Sequence, residues 1–186
     1  MVVANRTGNQ PRTIWQIDPS HSLVEFGVKH MMFTTVKGRF AGLSGLIVTD
    51  GENQALGTVE VEIDVASIDT RDKGRDEHLR SDDFFGAASY PTIAFRTTRV
   101  EPGKNGNFRV IGDLTIRDMT NEVVLDAAYN GRATTPWGYD VASYTATTEI
   151  NRKDYGLTWN AALETGGFVV GETVKIHLEV EAKPAA

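Results

Sequence analysis

An apolar side chain at every second residue, repeated along most of the chain, constrains the fold more than any other feature. Val24, Phe26 and Val28 alternate with Glu25, Gly27 and Lys29. Val59, Val61, Ile63 and Val65 alternate with Glu60, Glu62 and Asp64. Val174, Ile176, Leu178 and Val180 alternate with Lys175, His177, Glu179 and Glu181. Successive side chains on a strand point to opposite faces, so this spacing predicts antiparallel strands with one face on a core and one in water. Weaker copies run through Ile93 and Phe95, through Phe108, Val110, Leu114 and Ile116, through Val123 and Leu125, and through Tyr144, Ala146, Thr148 and Ile150. Turn clusters at 49–53, 101–107 and 131–138 separate them. About eight or nine short strands at such spacing predict a sandwich or a closed barrel.

One stretch breaks the period. Arg75 to Phe85 carries few β-branched residues and is predicted as the one real helix, closed by Gly86. A second helical turn is expected at His30 to Phe33. Pro19, inside Asp18-Pro19-Ser20-His21-Ser22, predicts a turn capped by Ser20 or His21.

Composition then excludes chemistry. The 186 residues contain no cysteine, which removes disulfides, thiolate zinc sites, iron–sulfur clusters and thiol nucleophiles. A net charge of -6 with no basic run argues against a nucleic-acid partner. Met1 to Arg12 is polar and is expected to be a disordered arm, with a single barrel domain over 13–183. The arm has no apolar run of the kind that signals export, so the expected address is the cytoplasm. No window approaches the roughly 20 apolar residues of a membrane-spanning helix.

The four histidines, His21, His30, His78 and His177, form no metal-ligand spacing. No metal and no cofactor are therefore expected. His177 falls on the outward face of its strand and His30 on the inward face. The densest polar region runs from Asp69 to Asp83. There Arg75, His78 and Arg80 could meet an anionic head group, or Asp76 with His78 could form an acid–base pair. The alternative is a solvent-facing helix with weak ion pairs. No nucleophile elbow, dinucleotide loop or phosphate loop is present, so a nucleotide enzyme is not expected.

About eight strands can close around packed side chains or around one small ligand. Gly27, Gly38, Gly42, Gly45 and Gly112 remove side-chain volume within or beside strands. Met31, Met32, Phe33, Phe40, Phe84 and Phe85 form an apolar surplus that either closes the barrel ends or faces a cavity.

Several strings, taken in order, resemble the YceI-like, polyisoprenoid-binding family. They are Trp15 to Phe26 with Val28-Lys29-His30, Val36 to Phe40, Ser67 to Thr70, Arg75 to Phe85, Tyr90 to Phe95, Gly112 to Arg117 and Asn151 to Leu157. The resemblance covers about residues 14–182. It implies an all-β fold: an extended eight-stranded antiparallel lipocalin-like barrel with one short α-helix. It also implies a non-catalytic protein that binds, transports or sequesters a long-chain isoprenoid lipid in its bore, as a homodimer.

In that reading Phe26, Val28, Met32, Phe33, Phe40, Phe84, Phe85, Phe95, Leu114 and Trp159 line the bore. His30, Arg39, Arg75, His78 and Arg80 receive the head group. Two departures stand out. Asp118 occupies a place where the family commonly has Gly, which predicts a left-handed turn there. Tyr155 stands where Phe is more frequent and places a hydroxyl at one end. Many relatives are exported, but their location does not transfer to a chain showing no such signal.

The competing readings are a small hydrolase or isomerase using Asp76, His78 or His30, and an interaction module whose apolar surface serves dimerisation alone. The first expects two of those groups within about 3 Å or one water of each other.

Overall fold

The computed structural model describes residues 12–50, 55–164 and 166–185. The expected N-terminal arm falls almost wholly outside them. Eleven strands appear: β1 Arg12–Ile17, β2 Leu23–His30, β3 Thr34–Phe40, β4 Leu43–Asp50, β5 Ala55–Asp64, β6 Ile68–Asp69, β7 Thr92–Pro102, β8 Phe108–Ile116, β9 Met119–Thr134, β10 Asp140–Asn151 and β11 Val170–Pro184. One α-helix, α1, spans Lys73–Arg80.

All strand pairings are antiparallel. The order β1-β4-β5-β7-β8-β9-β10-β11 returns to β1 through Trp15↔Pro184, Gln16↔Lys183 and Ile17↔Ala182, which closes an eight-stranded barrel. The remaining strands extend it at one end. β11 is long enough to pair with β1 near its C-terminus and with β2 over its earlier residues. β2, β3 and β6 then follow in order, and α1 lies beside β6.

Strand parity matches the sequence period. Val24, Ile63, Ile93, Phe95, Val110, Leu114, Ile116, Val123 and Tyr144 are buried in a continuous core, and Phe26, Val59, Val61, Ile176, Leu178 and Val180 pack against it. The register shifts at four places among the described strands, two of them in the β7–β8 and β9–β10 pairings. Between Thr97 and Arg99 the extra Thr98 turns outward, so Val100 rejoins the inner face. Between Ser143 and Tyr144 the register with β9 shifts, beside Gly131 at φ 142°.

Two glycines make room for aromatic rings. A Cβ at Gly38 would lie 2.4 Å from Phe26 Cζ, and one at Gly112 would lie 2.6 Å from Phe95 Cζ. Each ring therefore folds down over the opposing strand instead of filling the centre of the barrel.

The helix begins earlier and ends sooner than the spacing predicts. Asp72 caps it by accepting from Arg75 N, and Ser81 ends it. Residues 82–85 form turns, and Gly86 takes the left-handed conformation at φ 59°. The expected helical turn at His30 to Phe33 is instead the β2–β3 hairpin loop. Pro19–His21 is a single 3-10 turn, and its cap is Asp18, not Ser20 or His21. At the β8–β9 turn the left-handed residue is Arg117, at φ 58°, not Asp118. No helix among the described residues is long and apolar enough to cross a membrane.

Candidate functional site

The inward faces of the strands enclose a cavity of about 370 Å³. That volume falls in the range of small-molecule sites, about 300–1,000 Å³. Val, Ile, Leu, Phe and Ala supply most of its wall, from Ile47, Val59 and Val180 toward Ile116, Ile150 and Val174. Of the residues expected in the bore, Phe26, Val28, Phe40, Phe84, Phe85, Phe95, Leu114 and Trp159 line this cavity.

Met32 and Phe33 do not. They sit at the tip of the β2–β3 loop, 67% and 84% exposed. Strand alternation stops at His30, and the turn residues that follow point away from the barrel. Their place near the aromatic wall in sequence does not carry into space.

Aromatic contacts run along one side of the cavity. Phe26 meets Phe40 with ring centroids 5.6 Å apart, and Phe40 meets Phe85 edge-on at 5.8 Å. Nearer the α1 end, His78 lies edge-on to both Phe84 at 5.1 Å and Trp159 at 4.7 Å. Such pairs add about 0.5–1.5 kcal/mol each beyond burial and fix ring orientation.

The expected head-group residues divide. His30, Arg75 and His78 line the cavity, with Lys29, Thr70 and Arg152. His30 ends β2 and pairs with Val170 at the start of β11, which Arg152 also reaches, whereas Thr70 sits before α1 and Arg75 within it. Arg75 Nε donates to Thr70 Oγ1 at 2.8 Å and its Nη2 to Thr70 O at 2.9 Å. His78 Nε2 meets Asp83 Oδ2 at 2.9 Å, which orients the ring.

Arg39 and Arg80 are elsewhere. Arg39 faces outward and pairs with Asp69 at 3.1 Å. Arg80 donates to the carbonyls of Ala66 and Ile68, tying α1 to the strand it lies beside. β3 parity sends Arg39 out because Gly38 and Phe40 face in.

The Asp76–His78 pair does not form. Buried Asp76 accepts from both the amide and the hydroxyl of Thr70 through Oδ1, which anchors the helix to the chain before it. The carboxylate at His78 is Asp83 instead.

Four residues not proposed as site residues from the sequence shape the cavity or its ends. Arg152 is 3% exposed and donates to the carbonyls of Leu157, Trp159, Val170 and Gly171. It thereby stitches the segment carrying Trp159 to the start of β11. Burial holds its pKa below the ordinary guanidinium value, against the opposing pull of Glu172. Trp15 is fully buried at the opposite end, where its indole N–H donates to Thr49 Oγ1 at 3.0 Å and Arg132 lies over its ring.

Tyr144 also lines the cavity near that end. Its hydroxyl is buried with no hydrogen-bond partner among the described residues, and burial raises its pKa. Arg117 lies over the Tyr90 ring and donates to the carbonyls of Phe84 and Gly156, bracing the mouth loops from outside. Alternation placed Tyr144 on the inner face, but no sequence signal marked Trp15, Arg117 or Arg152 for these roles. Tyr155 is buried with its pKa pushed up to about 12, chiefly by desolvation, and is not part of the cavity wall.

On the outer rim Asp18, His21 and Glu181 bring one ligand atom each within 4.8 Å. Their contacts are accounted for locally, since Asp18 caps the 3-10 turn and His21 faces both carboxylates.

Comparison with known proteins agrees with this architecture. Residues 15–182 match the YceI-like domain model. UPF0312 protein SA2479 of Staphylococcus aureus (strain N315) is 37% identical over 172 residues, covering 91% of this chain and 96% of its own length. The YCEI protein of Campylobacter jejuni superposes with a TM-score of 0.72 at 30% identity, covering 85% of this chain and 90% of that one. BcnA of Burkholderia cenocepacia gives a TM-score of 0.76 at 23% identity over 89% of this chain and 98% of its own. A polyisoprenoid binding domain from Saccharophagus degradans gives 0.63 at 18% identity, over 92% and 98% respectively. This chain belongs to the YceI-like domain family.

Proposed function

We propose that the barrel binds a long-chain isoprenoid lipid and carries or sequesters it without chemical change. The observation that supports this most is the cavity itself, walled along its length by inward apolar side chains from the closed barrel. An isoprenoid tail is apolar and makes no directional demands. Each square ångström of it removed from water contributes roughly 25 cal/mol. The family relationship and the polyisoprenoid binding domain from Saccharophagus degradans support the same ligand class. The polar head is assigned to His30, Arg75 and His78, the previously expected cations and imidazoles that border the cavity. The homodimer remains part of the reading through family resemblance, with its state read by size exclusion.

The test is mass spectrometry of an organic extract of the purified protein, followed by thermal unfolding with and without added polyprenol. An isoprenoid in the extract, or a rise in Tm that scales with polyprenol concentration, is expected. Neither appearing would end the proposal. An added lipid recovered in altered form, with turnover lost in H78A, would move the reading to the hydrolase or isomerase alternative, with Asp83 beside His78 in the place expected of Asp76.

A further inference from the structure

The β2–β3 tip combines three properties. Its side chains are large, apolar and exposed: Met31 is 42% exposed, Met32 67% and Phe33 84%. Phe168, 55% exposed, stands on the neighbouring segment. The tip and that segment are one unit. Met31 N donates to Val169 O at 2.8 Å, and Met32 Sδ rests so close to Gly167 that a Cβ there would meet it at 2.6 Å. The unit also adjoins the cavity, because His30, Val169 and Val170 immediately beside it are part of the wall.

The backbone sharpens the point. Met31 and Met32 hold φ at 48° and 66°. That left-handed conformation is the one Gly or Asn adopts with least strain, and two adjacent methionines in it are unusual. Local folding would be served better by Asn-Gly. Burial does not account for the choice either, since the side chains face outward. Where a turn breaks its own chemistry in this way, function elsewhere is the expected reason.

We propose that this tip, with Phe168, inserts shallowly into the surface of a phospholipid bilayer, so that the cavity mouth opens onto the membrane when lipid enters or leaves. Four side chains on one knuckle are far fewer than the roughly 20–30 residues per side of a stable protein interface. They are suited to an interfacial wedge, which needs only a few apolar groups at headgroup depth. Lys29 Nζ donates to Phe33 O at 3.4 Å, which sets an ammonium at the base of the wedge where phosphate groups would lie. The net charge of -6 opposes general attraction to an anionic surface, so insertion and not long-range steering supplies the contact. This inference rests on the lipid-binding reading.

The experiment is flotation of the full chain with vesicles of pure phosphatidylcholine, comparing the unaltered protein with the double variant Met32→Asn and Phe33→Ser. The unaltered protein is expected to float with the vesicles. The variant should lose at least tenfold in vesicle binding, keep or raise its Tm because Asn suits the left-handed position, and retain its co-purified lipid. The unaltered protein remaining free of vesicles, or the variant binding equally, would overturn the proposal. So would a variant that changes only its oligomeric state, which would make the tip a contact between two copies of this chain. Failure of the lipid reading is separately visible as extracts without lipid while flotation persists.

Discussion

The two ends of the barrel are built on opposite principles. At the Trp15 end an aromatic plug is fully buried, its one polar atom is satisfied by Thr49, and a cation covers it from outside. At the α1 end His30, Arg75, His78 and Arg152 border the same cavity, and an apolar tip projects into solvent beside them. The contrast teaches that a closed eight-stranded ring does not by itself decide where a ligand enters. A satisfied aromatic plug closes its end with apolar packing, whereas the other end is held by polar side chains that bind the chain around them, Arg152 through four carbonyls and Arg75 through Thr70.

The largest way to break this contrast is to remove the plug. Trp15→Ala should cost about 3–5 kcal/mol, because it deletes a buried aromatic ring and strands the Thr49 hydroxyl. Urea unfolding measures the loss, and a lipid probe should also dissociate faster through the opened end. A cost below about 1 kcal/mol would show that the end is not sealed by packing.

Arg152→Ala should cost somewhat less, about 2–4 kcal/mol, since some of the four released carbonyls regain water. Its distinctive effect is local. Hydrogen exchange should rise in 157–171 before the rest of the barrel opens. Uniform destabilisation without that local change would mean the arginine does not hold the mouth segment.

Tyr144→Phe sharpens the contrast from the other side. Removing a buried hydroxyl that has no partner should stabilise the protein by about 1 kcal/mol, read as a rise in Tm. A fall in lipid affinity in the same variant would instead show that the hydroxyl meets the ligand.

The smallest effect concerns pH at the plugged end. The Asp140 carboxyl is held below its ordinary value, first by Arg132 and then by Thr134. The folded state therefore binds its proton more weakly than the unfolded chain. The pair's contribution is present above about pH 4 and fades as pH falls through the lowered folded value. Asp140→Asn should flatten that acid limb slightly in a series of Tm measurements, and an unchanged limb would remove the pair from the stability account.

Much of the barrel was legible in the sequence because alternation reports burial directly. Val59, Val61 and Ile63, or Val174 to Val180, carry their facing in their spacing. The bore aromatics Phe26, Phe40 and Phe95 follow the same rule. Met32 and Phe33 did not, because no period operates in a three-residue turn and hydrophobicity alone does not say inside. Arg152 and Asp76 were opaque for a different reason. A buried charged group is recognised by its partners, and the carbonyls of Val170 and Gly171 or the hydroxyl of Thr70 come into reach only on folding.

By itself, then, the sequence determined an all-β chain, its inner and outer faces, and the exclusion of cysteine chemistry. These follow from residue type and a period of two, which are local properties. Tertiary structure decided which end is plugged, which cations border the cavity, that His78 takes Asp83 as its partner, and that the Met31–Phe33 tip faces out. Those outcomes depend on register, bulges and ring closure, which bring together residues far apart in the chain, such as Trp15 and Thr49.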